Sequence, residues 1–336
     1  MNSSADEAWD AFVEQHPNAT FFHRAAWRRV ASEVFGHRTH YLTEQRDGQI
    51  AAILPLIEIR SRLFGHALIS NAFCVGGGPL ATDAVSFDAI LKRAEALGRT
   101  LKVDYVELRD SPSATPGWRV RDDLYAGFER QLSQVEDENL QKIPRRQRAV
   151  LRKALTQDLT VTIDSSTDAF YGLYARTMRD HGTPALPQRF FDRLLAVFGT
   201  DCEVMTVRAE GRPISSVLSY FFRGRVMPYY TGCRPEARTY GSNDLMHWAL
   251  MRRAVERGCD VFDFGRSKVG TGPYHFKRNW GFAPRPISHQ FMLVRSQALP
   301  NVNPTNPAYS AAISAWRRLP LGIANLISPM ISRSLG

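Results

Sequence analysis

The chain predicts an α+β protein in which one mixed module, a mostly antiparallel sheet packed by helices, occurs twice. Three observations carry this. The 336 residues have room for two domains, and 44% apolar with 23% charged residues is the composition of a globular chain. Period-2 and period-3.6 segments follow one another in the order strand, strand, helix, strand, the order expected when a helix covers an antiparallel sheet. That order then recurs: "TEQRDGQIAAILPLI" is answered by "TVRAEGRPISSVLSYF", and "KVDYVELRDS" by "GCDVFDFGRS". The offset is about 160 residues, near one domain length.

In the first half, helical patterns are expected near Glu7 to Gln15 and Arg24 to Phe35. "THYLTEQRDGQIAAILPLIEI" reads as two strands turning at Asp47-Gly48, a dipeptide that tolerates the positive φ of a tight hairpin. "HALISNAF" is a further strand candidate, followed by the break Gly76-Gly77-Gly78-Pro79. Phe87, Ile90, Leu91, Ala94 and Leu97 have helical spacing, and "VDYVELRD" after them alternates as a strand does. In the second half, turns at Glu210-Gly211 and near Gly224 separate three strands. A helix over "SNDLMHWALMRRAVERG" then runs from a Ser242 or Asn243 cap to Gly258, and the strand "DVFDFG" follows. The expected division is residues 1–138 and 139–297, with a tail over 298–336.

From Lys142 to Lys153 the chain is basic without an acid, and Arg145, Arg148 and Arg152 fall at i, i+3 and i+7 on one helical face. This face is either solvated surface or a comb for phosphate or carboxylate. The tail opens with "NVNPTNPAY", and Trp316, Leu319, Ile323, Leu326, Ile327 and Met330 then line one side, with breaks expected at Pro320 and Pro329. Two fates are open to it: docking back on the protein, or peripheral contact with an anionic inner membrane. The acidic, polar amino terminus does not read as a secretory signal, and no run approaches the roughly 20 apolar residues of a membrane span. A cytoplasmic location follows as an expectation. Cys74, Cys202, Cys233 and Cys259 are far apart and read as reduced core thiols.

The net charge of +10 favours polyanionic or phosphorylated partners. Its sharpest focus is "FDFGRSKVGTGPYHFKRNWGF", residues Phe262 to Phe282. Gly265 and Gly270 have the spacing of a triphosphate loop, but Thr271-Gly272 stands where Lys and Ser or Thr are needed. A dinucleotide fingerprint fares no better, because its first glycines should open a helix directly after an early strand, with an acidic residue about 20 positions later. The chain spells no nucleophile elbow, no zinc-ligand pair and no kinase set, and neither a metal nor a tightly bound cofactor is expected.

Together with "TFFHRAAWRRVASEVFGH", "IPRRQRAVLRKAL" and "MRDHGTP", that segment resembles the FemAB-like acyltransferases, most closely the branch associated with exosortase-linked exopolysaccharide loci. The similarity spans roughly Phe21 to Arg295. The resemblance implies two tandem acetyltransferase-like (GNAT-type) domains, each a mixed, mostly antiparallel sheet flanked by helices. It also implies an acyl donor and an amine acceptor meeting in or near the second domain. In family members that use aminoacyl-tRNA, a Phe-Lys pair matching Phe276 and Lys277 is associated with the donor. The long charged coiled-coil arm of the bridge-forming enzymes is absent, and "GCRPEARTYGSND" departs from the glycine spacing of a CoA pyrophosphate loop. Acyl-CoA, acyl-carrier protein and aminoacyl-tRNA therefore all remain open as donors, and a lipid-linked glycan or peptide as acceptor.

Amine acylation needs a neutral amine, a donor carbonyl held in line and compensation for the oxyanion. Lys277 and Arg266 offer positive charge, and Ser267 with the amides of Gly270 to Gly272 offers donors. Base candidates are Asp263, which should point opposite to Phe262 and Phe264, and His181 or Asp180 in "MRDHGTP". Tyr229, Tyr230, Tyr274 and Trp280 would make flat walls for a substrate, and Arg109 with the triple glycine would touch an acceptor. A nucleic-acid-binding protein using residues 142–153, and a catalytically silent scaffold of an exopolysaccharide assembly, are the alternatives.

Overall fold

The computed structural model describes residues 3–62, 64–111, 114–300 and 310–335. In chain order the elements are α1 (Ser3–Gln15), α2 (Trp27–Phe35), β1 (Arg38–Arg46), β2 (Gln49–Ser61), β3 (Gly65–Ser70), β4 (Leu80–Ala81), α3 (Ala84–Leu101), β5 (Tyr105–Arg109) and β6 (Arg119–Gln131). Then come α4 (Glu136–Gln141), α5 (Arg145–Leu155), β7 (Leu159–Asp164), α6 (Asp168–His181), α7 (Gln188–Phe198), β8 (Cys202–Ala209), β9 (Arg212–Phe222) and β10 (Arg225–Cys233). The last are α8 (Ala237–Tyr240), α9 (Ser242–Glu256), β11 (Val261–Lys268), α10 (Gly272–Asn279), β12 (Pro284–Leu293), α11 (Ser310–Arg317) and α12 (Leu321–Ser332).

The chain forms two compact units, one of Met1–Asp123, Ile287–Asn303 and Ile331–Gly336, the other of Leu124–Pro286 and Pro304–Met330. Long-range strand pairing explains two of the divisions between the units. β12 runs antiparallel to β5, from His289 opposite Arg109 to Leu293 opposite Tyr105, so a late strand joins the first unit. β6 pairs with β11 from Gln131 opposite Val261 to Tyr125 opposite Lys268, which places most of it in the second.

Within the first unit, β1, β2 and β3 form an antiparallel meander and β5 lies parallel to β3. The turn between β1 and β2 has φ of 51° at Asp47 and 77° at Gly48, the left-handed pair that an Asp-Gly hairpin requires. α3 starts where the Asp83 side chain accepts a hydrogen bond from the Ser86 amide, and it buries Ile90, Leu91 and Ala94. The second unit repeats the plan: β8, β9 and β10 form the meander, Glu210 and Gly211 turn with φ of 50° and 74°, and β11 lies parallel to β10. α9 supplies the covering helix, and its Leu245, Met246, Leu250 and Ala254 are buried with Phe262 and Phe264.

The tail docks on the second unit. Arg179 donates to the Leu319 carbonyl at 3.1 Å, Arg317 to the His181 carbonyl at 3.3 Å, and the Ala185 amide to Ser328 Oγ at 3.1 Å. The buried side is not the large apolar one that sequence spacing suggests: Ala324 and Ser328 are buried, whereas Ile323, Leu326 and Met330 are exposed. Pro320 separates α11 from α12, and Pro329 lies inside α12. The Asn301 to Tyr309 linker lies outside the described residues.

Candidate functional site

In the second unit β10 and β11 are partners over two positions only, Arg225 opposite Val261 and Val226 opposite Phe262. Beyond these, β10 keeps its ladder with β9 as far as Cys233 and β11 keeps its ladder with β6 as far as Lys268. The two parallel strands therefore part, and the halves running to Cys233 and Lys268 form the walls of a wedge. Both walls are irregular near its apex, where the strands begin to part. The β10 register shifts between Pro228 and Tyr230, which leaves Tyr229 outside it, and the β11 register shifts between Asp263 and Arg266. Bulges of this kind re-aim side chains and release backbone groups from a ladder, which is why they gather at functional sites.

The β11 strand does not end at Phe264 as its glycine suggests. Gly265 takes φ of 63°, the strand crosses its bulge there, and Arg266, Ser267 and Lys268 pair onward with Gly127, Ala126 and Tyr125. Asp263 Oδ1 accepts the Gly265 amide at 2.8 Å, closing the bulge locally. Burial pushes the Asp263 carboxyl above its usual range, and the Gly265 hydrogen bond opposes that. Phe262 and Phe264 are buried while Asp263 is half-buried, as strand alternation requires.

α10 brings Lys277 against this bulge. Its ammonium donates to the carbonyls of Phe264 at 2.5 Å, Arg266 at 3.0 Å and Gly265 at 3.3 Å, and it lies 5.5 Å and 5.7 Å from the ring centres of Phe128 and Phe264. Three donors thus meet three acceptors, with aromatic faces completing the enclosure. Burial lowers the Lys277 pKa to about 7, partly offset by Asp263 and reinforced by Arg266. Arg266 stacks over Tyr125 at 4.3 Å. Ser267 is buried, and its Oγ has no hydrogen-bond partner among the described residues. A buried hydroxyl left unpaired is costly, so it is a natural contact for a ligand. Gly270 and Gly272 are exposed in the turn into α10, where Thr271 bonds back to the Lys268 carbonyl and does not cap the helix.

The remaining expected residues divide into groups. Tyr274 packs edge-on to Phe128, and Phe276 packs between His247 and Trp280. Trp280 is a correction: it is 0% exposed, a core residue whose indole donates to Asp244 Oδ1 at 2.9 Å, so it offers no open wall to a substrate. Tyr230 is half-buried among Tyr174, Phe190 and Phe191 of α6 and α7. Gly232 lets α6 sit this close, because a Cβ there would fall 2.2 Å from the Tyr174 amide nitrogen. His181 is the last residue of α6, not a loop residue; its carbonyl receives Arg317, and it shares no described contact with β11 or α10. On α5, Leu151 and Ala154 face inward, Arg145 and Arg152 are exposed and Arg148 is half-buried, and none of the three arginines has an ion pair among the described residues.

Two residues escape sequence reasoning. Asp244 in the first turn of α9 accepts the Trp280 indole and the Gln147 amide, so one buried carboxylate joins α5, α9 and the end of α10. Burial raises its pKa, and those two hydrogen bonds oppose the rise. His247 is buried against Phe264, and burial together with the Lys277 charge lowers its pKa to about 3; its Nδ1 has no partner among the described residues. The available signal was a polar residue amid the apolar run Leu245, Met246, Trp248.

In the first unit, Arg109 is buried with Nε 2.9 Å from Glu107 and Nη1 2.8 Å from the Cys74 carbonyl. Burial alone would raise the Glu107 pKa, but Arg109 and His289 hold it at about 2. Gly78 is needed for packing, since a Cβ there would lie 2.8 Å from the Arg109 carbonyl. Among the described residues no group of three or more His, Cys, Asp or Glu is placed to hold a metal, and no helix is long and apolar enough to cross a membrane.

Residues 141–278 match the family described as acetyltransferase (GNAT) domain. Among solved structures, FemX is similar with a TM-score of 0.70 at 16% identity, over 92% of this chain and 98% of that one. A C-terminal domain from Agrobacterium fabrum, named for lysylphosphatidylglycerol synthetase, is similar at 0.59 and 14% identity, over 94% and 95%. A tandem GNAT protein from the clavulanic acid biosynthesis pathway is similar at 0.54 and 12% identity, over 87% and 96%. No curated protein matches the chain. The fold is a tandem acetyltransferase-type fold, and residues 141–278 within it match an acetyltransferase domain.

Proposed function

We propose that the protein is an N-acyl or aminoacyl transferase that moves an acyl group from an activated donor to the amine of a cell-envelope or exopolysaccharide precursor. The observation that carries this reading is the parting of β10 and β11 beside the Lys277 enclosure, within the span that matches the acetyltransferase family. Two parallel strands that separate present backbone edges to an extended chain, as a strand-like acyl donor needs.

In the reaction, the amine nitrogen adds to the donor carbonyl carbon, and the carbon bond to the donor's sulfur or oxygen then breaks. The amine proton leaves through Asp263 or solvent, and the leaving group takes up a proton. Lys277 compensates the oxyanion by exchanging one of its three carbonyl acceptors for the substrate oxygen; Ser267 and the α10 amides add hydrogen bonds. Arg145, Arg148 and Arg152 are free to meet the anionic portion of the donor, whether the phosphates of acyl-CoA or acyl-carrier protein or the backbone of an aminoacyl-tRNA. At the start of α9, where a CoA pyrophosphate would sit in an ordinary acetyltransferase, Asp244 introduces a carboxylate, which favours a donor held elsewhere. The structural neighbour named for a lysylphosphatidylglycerol synthetase supports a lipid-borne acceptor. The test is Lys277→Ala: turnover is lost while the circular dichroism spectrum and melting cooperativity persist. Wild-type turnover by that variant would remove Lys277 from the mechanism.

A further inference from the structure

α12 is built against the ordinary amphipathic rule. A surface helix turns its large apolar residues inward, yet here the small Ala324 and Ser328 are buried at 1% exposure each. Ile323, Leu326 and Met330, at i, i+3 and i+7, stand out at 46%, 78% and 74% exposure. This orientation is fixed by docking on the inner side, through the Ala185 to Ser328 hydrogen bond and the Arg179 to Leu319 hydrogen bond. The α6–α11 approach is equally close, because a Cβ on Gly182 would fall 2.4 Å from Ile313 Cγ2. The exposed stripe is therefore a built surface, and its charge surroundings say what covers it. From Ser310 to Leu335 the sequence holds Arg317, Arg318 and Arg333 and no Asp or Glu. Arg318 is exposed and has no partner among the described residues. A second copy of the same surface would bring arginines against arginines with no acid from α11 or α12 to relieve them, and the nearby Asp180 is already paired with Arg179, whereas an anionic lipid surface supplies the opposite charge. Twelve helical residues extend about 18 Å, too short to cross a bilayer and suited to lying in its headgroup layer.

We propose that Ile323, Leu326 and Met330 of α12 insert into the headgroup region of an anionic bilayer, with Arg317 and Arg318 binding its phosphates. This does not depend on the acyl-transfer reading, since vesicle binding requires neither donor nor acceptor. Flotation of the full chain with phosphatidylcholine vesicles, with and without phosphatidylglycerol, tests it. Binding is expected only with phosphatidylglycerol, falling with salt and weakened about ten-fold or more by L326E/M330E. Arg318→Ser, whose side chain holds no contact that the fold needs, is expected to weaken it about five-fold. Failure of the wild type to bind phosphatidylglycerol vesicles overturns the proposal. Undiminished binding by Arg318→Ser and by L326E/M330E does so too, as does a dimer that L326E/M330E converts to monomer, which would assign the face to a second copy.

Discussion

Replacing Lys277 with Met keeps an unbranched stem in the same enclosure and removes the ionisable group. In the unfolded chain the lysine holds its proton up to about 10.5, whereas burial brings the folded value down to about 7. Between these values the unfolded state binds more protons, so this side chain makes the wild type gain stability as pH rises. At 1.36 kcal/mol per pH unit the whole interval is worth about 5 kcal/mol. Because the folded lysine is half-protonated at the lower end, about 2 kcal/mol of this appears between about pH 7 and 9. Urea denaturation of wild type and Lys277→Met over that range reads the contribution of Lys277 together with its electrostatic partners Asp263 and His247, since groups not coupled to it cancel in the difference. The wild type should gain about 2 kcal/mol on the variant. Parallel stability curves would refute the argument, because they would mean that Lys277 titrates alike in the folded and unfolded states. The same ionisation bears on catalysis: if the ammonium compensates the oxyanion, kcat/KM has a descending limb near pH 7.

Three other consequences follow from the packing and the surface. Arg109→Ala leaves the buried Glu107 carboxylate with His289 as its remaining ion-pair partner among the described residues, and should cost about 3 to 5 kcal/mol in urea unfolding. Gly232→Ala sets a methyl against the α6 backbone and should cost about 3 kcal/mol, visible as a lowered melting temperature. Replacing Arg145, Arg148 and Arg152 together with Ser should raise KM for the donor with little change in kcat; an unchanged KM would make the comb solvated surface.

Much of the fold is legible because its signals are local. Asp47-Gly48 and Glu210-Gly211 sit in left-handed turns that few other dipeptides fill cheaply, and the repeat of strand, strand, helix, strand is visible from hydrophobic period alone. What was not legible depends on partners distant in sequence. β6, "RVRDDLYAGFERQ", carries charge through its first half and does not alternate cleanly; its pairing with β11 was fixed by residues some 135 positions away. The site divides in the same way. The segment from Phe262 to Phe282 was identifiable by composition, but the Lys277 enclosure depends on a bulge that turns three successive carbonyls toward one ammonium, and no residue pattern announces that. Trp280 shows the converse: an aromatic beside a basic cluster looks like a ligand wall until its indole is found bonded to buried Asp244.

The central claim, acyl transfer to an amine beside Lys277, is tested most directly by mass spectrometry of envelope precursors incubated with the protein and each donor class in turn: acyl-CoA, acyl-carrier protein and aminoacyl-tRNA. The account predicts that one class is consumed, with an equimolar product bearing the acyl group on an amine nitrogen, and that Lys277→Ala stops the conversion. Consumption of none of the three by folded wild-type protein, or an equal yield from Lys277→Ala, would contradict it.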